Sequence, residues 1–229
     1  MKLEPLGDAA VVATLGSASD APAMASALGL AERLVAARAR GIVDVVPAYA
    51  AVTAFYDPLQ FLDSQEDAYD CVCRLIESCG ARAAREPSAA GGGAVEIPVC
   101  YGGDLGPDLD FVARRCGLEA AEAAALHAGA PYLVHAVGFT PGFPYLGGLP
   151  AALHTPRRDT PRARVPAGSV GIGGSQTGVY PVASPGGWQI IGRTPVALFR
   201  ADGSPPALLK PGDRVRFRAI SASEFDSWK

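Results

Sequence analysis

Residues 138–195 carry 12 glycines and 9 prolines, 21 punctuating residues in a window of 58. No long helix survives that density, because proline removes a backbone donor and each interior glycine weakens a helix by about 1 kcal/mol. Short strands joined by tight turns remain compatible. Segments 169–172, 189–191 and 196–200 read as such strands, each bounded by Gly or Pro. Short strands at this spacing predict a barrel or a sandwich.

The first 80 residues follow a different pattern. Segment 9–15 is a short apolar run and reads as a strand. From Pro22, the residues Met24, Leu28, Ala31 and Val35 recur with helical periodicity, predicting an amphipathic helix that stops at Gly41. Segments 43–46 and 49–56 read as strands with a bend at Pro47, and Ser64 is placed to cap a second helix whose stripe is Tyr69, Val72, Cys73 and Ile76. The order strand, helix, strand, strand, helix predicts a small α+β unit, a ferredoxin-like sandwich, over 1–82. Segment 83–94, with three consecutive glycines and no period, reads as a linker. Beyond it, 95–101 reads as a strand, 108–128 as one or two alanine-rich helices and 132–137 as a strand, so 95–229 is expected to form one mainly β domain.

Charge narrows the function classes. Twenty basic and 23 acidic residues leave a formal charge of −3, which predicts no general affinity for nucleic acid or an anionic membrane. Lysine occurs only at Lys2, Lys210 and Lys229, and none stands in the Gly-Lys-Ser/Thr context of a phosphate-binding loop or between methionines as a biotin acceptor does. Five cysteines, an odd number without an export signal, predict a reduced, cytoplasmic protein. The apolar runs are too short to span a bilayer.

The Gly/Pro window is charged against the trend of the chain. It holds Arg157, Arg158, Arg162, Arg164 and Arg193, with Asp159 as its one acid. Such a loop system suits a carboxylate or phosphate, each desolvated charge-assisted bond contributing roughly 1.5–3 kcal/mol. Pro141, Gly142, Phe143 and Tyr145 make a rigid turn with aromatic faces, Gln176 and Thr177 offer neutral hydrogen-bonding groups before Tyr180, and Gly186-Gly187-Trp188 comes from a separate segment. The window lacks a carboxylate pair and a G-x-S-x-G elbow, and its glycine run at 171–174 does not lead into a helix. The spacing of His127, His135 and His154 is unlike a zinc site. With no complete catalytic set legible, another chain is expected to complete the site.

The run HAVGFTPGFPYLGG at 135–148, the stretch from Pro156 through Phe199, and the outlying pieces PLGDAAVV, Tyr56-Asp57-Pro58 and Gly106-Pro107-Asp108-Leu109 closely resemble one family. It is the family of 5-oxoprolinase B subunits, also called allophanate hydrolase subunit 1, which includes the sporulation-kinase inhibitor proteins. Its members resemble the first part of the carboxyltransferase domain of biotin-dependent urea carboxylase. The resemblance implies an α/β N-terminal domain followed by a cyclophilin-like β-barrel. It also implies two partners, a C subunit of related fold (allophanate hydrolase subunit 2-like) and an A subunit. Together they would cleave 5-oxoproline to glutamate, with ATP, accompanied by Mg2+, driving activation of the substrate by phosphorylation. Two other activities of the family stay open from sequence alone: inhibition of a sensor histidine kinase, and a carboxyltransferase step on urea or a related amide. The candidate binding set is Phe139, Pro141, Gly142, Phe143, Tyr145, Arg157, Arg162, Ser169, Gln176, Thr177, Tyr180, Gly186, Gly187, Trp188 and Arg193. Arg157, Arg162 and Arg193 are expected to hold the anion, Gln176 and Thr177 the lactam. His127 is either a further catalytic candidate or a charged group complementing a helix C-terminus. Gly173, where the family pattern usually has Ala, reads as a departure too small to disturb a site.

Overall fold

The computed structural model describes residues 1–18, 20–81 and 93–228, which fall into two compact units, 1–91 and 92–229. The segment expected as a linker lies almost wholly outside the described residues.

The first unit contains β1 (Lys2–Pro5), β2 (Ala10–Thr14), α1 (Ala21–Ala37), β3 (Ile42–Ala48), β4 (Ala51–Tyr56) and α2 (Ala68–Ala81). Its sheet is antiparallel in the order β1-β2-β4-β3. The chain order ββαββα departs from the βαββαβ order of a ferredoxin-like sandwich. Pro47 lies inside β3 opposite Val52, and β3 is an edge strand, where a missing backbone donor costs no ladder bond.

Asp20 caps α1 by accepting from the Ala23 amide at 3.4 Å. The buried stripe of α1 runs through Ala27, Leu30 and Leu34, and Val35 is 61% exposed. Two stripes one residue out of phase are written into this helix, and the one carrying Leu30 and Leu34 buries more apolar area. In α2 the capping oxygen comes from Asp67, bonded to the Tyr69 amide at 2.8 Å, and Ser64 accepts from Glu66 in the preceding turn.

The second unit opens with β5 (Val95–Tyr101), then α3 (Leu109–Cys116), α4 (Ala120–Gly129), β6 (Pro131–Val137), β7 (Pro144–Gly147), β8 (Arg162–Val165), β9 (Ser169–Gly173), β10 (Gln176–Val179), β11 (Ser184–Gly186), β12 (Gln189–Arg193), β13 (Arg214–Ala219) and α5 (Ala222–Asp226). Seven strands close a barrel in the order β10-β7-β6-β13-β5-β12-β9, and β8 pairs with β11 as a separate ribbon. Alternation along the strands sends Ile97, Val99, Val170, Ile172, Ile191 and Phe217 into one core. A smaller cluster of Phe143, Val165, Tyr180, Trp188 and Ile190 forms beside it. Segment 196–200 forms no strand, only a single bridge between Phe199 and Ala207. Pro195, Pro205 and Pro206 around it leave too few amides for a ladder. Among the described residues no helix is long and apolar enough to cross a membrane.

Candidate functional site

The smaller cluster walls a cleft of about 270 Å³ lined by Phe139, Tyr145, Arg157, Tyr180, Gly187 and Trp188, among others. Phe143 sits at its centre, with ring centroids 5.0 Å from Tyr145, 5.1 Å from Tyr180 and 5.4 Å from Trp188. These tilted and edge-on contacts are the favoured ones for aromatic quadrupoles. The turn that delivers Phe143 needs Gly142 at φ +80°, where a side chain is disfavoured. Phe139 adopts φ +66° and stands 67% exposed at the rim. A bulky residue in that conformation stores strain of about 1–3 kcal/mol.

The indole of Trp188 lies directly over β9. A Cβ at Gly173 would come within 2.6 Å of the ring, so the absence of a side chain there sets the depth of the cleft wall. This corrects the expectation that Gly173 is an inconsequential departure. Gly186 likewise lets the Tyr180 hydroxyl pack against backbone. Burial raises the Tyr180 pKa, partly offset by a bond from the Trp188 main chain and by the positive charges of Arg157 and Arg162, so the phenol stays protonated at neutral pH.

Arg157 stands over the Trp188 ring at 5.8 Å from guanidinium carbon to centroid, and no hydrogen bond or ion pair occupies it among the described residues. It is the arginine of the expected set that the cleft contains. Arg162 is otherwise engaged. Its Nη2 donates to Asp108 Oδ1 at 2.8 Å, Arg158 Nη1 donates to the same oxygen at 3.3 Å, and the Ile190 amide donates to Oδ2 at 2.6 Å. The Asp108 side chain is only 8% exposed. Arg162 therefore serves as a partner for this carboxylate. Arg193 Nε donates to the Ala167 carbonyl at 2.8 Å and ties the end of β12 to the loop before β9, outside the cleft.

Several other expected residues also lie elsewhere. Pro141 and Gly142 shape the turn, Ser169 is buried at the start of β9, and Gln176 is half-buried in the β9–β10 hairpin. None of the four lines the cleft. Thr177 points into the barrel at 0% exposure, where it meets His127.

His127 is fully buried. Thr177 Oγ1 donates to the Gly171 carbonyl at 2.9 Å, so it accepts from His127 Nε2–H at 2.9 Å, which leaves Nδ1 to accept from the Tyr101 hydroxyl at 2.8 Å. The ring stacks on Phe217 at 4.8 Å, and Tyr132 donates to the His127 carbonyl at 2.7 Å. Every donor in this chain is used by a neutral imidazole, and burial lowers its pKa to about 3. His127 is thus neither a charged helix cap nor within reach of a cleft ligand. It is a satisfied polar link across the barrel core.

Sequence reasoning missed Asp108 as an organiser. An acid just before a helix reads as a cap, yet its carboxylate makes no capping bond and reaches instead 54 residues along the chain to Arg162. The excess of arginine over acid in the window was the available signal: a buried guanidinium needs a carboxylate from somewhere.

The carboxyltransferase domain, subdomain C and D, family matches residues 1–209. The chain is 39% identical to the 5-oxoprolinase B subunit of Bacillus subtilis over 100% of its own length and 96% of that protein's. It is 45% identical to the 5-oxoprolinase B subunit of Escherichia coli O157:H7 over 93% of each chain. Among solved structures, that of TTHA0988 aligns with a TM-score of 0.79 and 40% identity, covering 93% of this chain and 40% of that longer one. Spanning nearly all of these curated relatives, the chain belongs to the family of 5-oxoprolinase B subunits within the carboxyltransferase-type domains.

Proposed function

We propose that the chain is the B subunit of a cytoplasmic, ATP-dependent 5-oxoprolinase, which binds 5-oxoproline for activation and ring opening to glutamate and is inactive without its A and C subunits. The observation that carries this reading is the aromatic cleft with an unpaired Arg157 at Trp188. 5-Oxoproline has a flat, largely apolar ring and a carboxylate. The walls of Phe143, Tyr145 and Trp188 suit the ring, and the Arg157 guanidinium suits the carboxylate. At about 270 Å³ the cleft is just below the usual size of ligand sites, roughly 300–1,000 Å³, and favours a compact molecule. ATP supplies the phosphoryl group that turns an unreactive lactam into a better electrophile. The part assigned to this chain is to desolvate the ring, hold the carboxylate and keep water away. In the same reading the barrel is cyclophilin-like, and the N-terminal unit is a rearranged ferredoxin-like sandwich in which β1 takes the edge place.

Reconstitution with the A and C subunits, followed by 5-oxoproline-dependent ADP release, tests the proposal. Arg157→Ala is expected to raise KM for 5-oxoproline about tenfold, the lower end of a charge-assisted contact at a partly exposed site. Wild-type KM in both Arg157→Ala and Trp188→Ala would remove the cleft as the substrate site.

A further inference from the structure

The loop 156–161 has a second cleft on its other side. It measures about 450 Å³ and is lined by Phe111 and Arg115 of α3, by Arg157 and Arg158, and by Asp159 and Thr160. Three arginines and Asp159 converge here from two elements far apart in sequence, with Arg158 also paired to Asp108 behind the cleft. Arg115 and Arg157 have no hydrogen bond or ion pair among the described residues, and Arg158 Nε is buried without a partner. A buried, unsatisfied guanidinium N–H costs about 1–3 kcal/mol.

The loop backbone that carries Arg157 and Arg158 is held in place. The loop is fixed at one end by the paired backbones of Thr155 and Gly174 and at the other by the Arg158 amide, which donates to Gly187 O at 2.7 Å. Gln189 Nε2 donates to the Pro156 carbonyl at 3.1 Å, and Asp108 grips Arg158 from within. Phe111 and Arg115 are four residues apart on α3 and so share a helix face, with Phe111 43% exposed. The cleft therefore offers a flat aromatic surface beside a cluster of guanidinium groups, two of them carried on an anchored loop. Guanidinium forks match phosphate oxygens two at a time, and an exposed aromatic face stacks on a heterocyclic base.

The geometry points to this second cleft as a nucleoside polyphosphate site, with the phosphates on Arg115, Arg157 and Arg158 and the base against Phe111. It deepens the proposed function, resting on that reading for the phosphate donor, and makes Arg157 the residue shared by the two clefts. The chain has no glycine-lysine phosphate loop, so side chains must do the work that backbone amides do elsewhere.

Isothermal titration of the full chain with ATP, and separately with inorganic tripolyphosphate at constant ionic strength, tests the assignment. Arg115→Gln is expected to weaken both ligands about tenfold, Phe111→Ala to weaken ATP and leave tripolyphosphate unchanged, and Arg164→Gln, an exposed arginine outside the cleft, to change neither. Equal losses in Arg164→Gln and Arg115→Gln would reduce the effect to diffuse positive charge and overturn the site. Equal losses of both ligands in Phe111→Ala, or none, would overturn the nucleoside placement. Trp188 emission on addition of 5-oxoproline is read in parallel. A 5-oxoproline response without saturable polyphosphate binding defeats this inference alone, and the reverse defeats the substrate cleft alone.

Discussion

Lowering the pH should destabilise the barrel chiefly through His127, with the half-buried His135, whose pKa burial also lowers, adding in the same direction. Its ring is fully buried, neutral and fixed in the Nε2–H tautomer by Thr177 on one side and Tyr101 on the other. The folded state takes up a proton here only near pH 3, against an ordinary value of 6.5 once the chain unfolds. The stability associated with the neutral ring is complete above pH 6.5 and is lost as pH falls from there towards 3, because the unfolded chain then binds the proton more tightly. Between pH 7 and pH 5 the loss amounts to about 2 kcal/mol from this group alone. Urea denaturation at the two pH values, followed by Trp188 fluorescence in a Trp228→Phe background, measures it. His127→Gln, which keeps a donor and an acceptor, should be less stable at pH 7 but should lose about 2 kcal/mol less on going to pH 5. If wild type and variant lose the same amount, the ring titrates as it does in water and the tautomer chain is wrong. Nitrogen-15 NMR of the imidazole at pH 5 gives an independent reading, with Nε2 protonated and Nδ1 bare as the expected result.

Two further outcomes follow from the carboxylate and the glycine that shape the clefts. Asp108→Asn keeps the shape but removes the charge that Arg158 and Arg162 share; both guanidiniums retain some solvent, so the cost should be about 2–3 kcal/mol, seen as a fall of roughly 5–10 °C in a thermal melt. A shift under about 1 °C would mean that water compensates the pair fully. Gly173→Ala forces its methyl group into the Trp188 ring, so it should shift Trp188 emission, cost about 1–3 kcal/mol and weaken 5-oxoproline binding by fluorescence titration; unchanged emission and affinity would show that the wall yields freely.

Much of the architecture was legible in residue order. The Gly/Pro window marked out where helices could not form, and β9 and β12 lie where its short apolar pieces are. The stretch read as one or two helices is two, α3 and α4, parted at Gly117, which the structure places in the left-handed conformation that ends a helix. Periodicity was less decisive where two phases fitted, as in α1, since the choice between Leu30 and Val35 depends on what the sheet presents to that face.

The site was legible as a composition and only partly as a set of residues. Phe143, Tyr145, Arg157, Tyr180 and Trp188 meet because each is fixed by a local turn or strand whose residues announce it. Thr177 and Ser169 looked equally available, but strand alternation and barrel closure bury them. Composition also counted Arg157 and Arg162 alike, and the fold separates them. Sequence by itself determined the family, the strand-rich half and the excess of arginine over acid, because these depend on residue type and near-neighbour spacing. Only the tertiary structure decided which guanidinium stays unpaired, because that depends on Asp108 arriving from 54 residues away, with its charge neutralised where it lands.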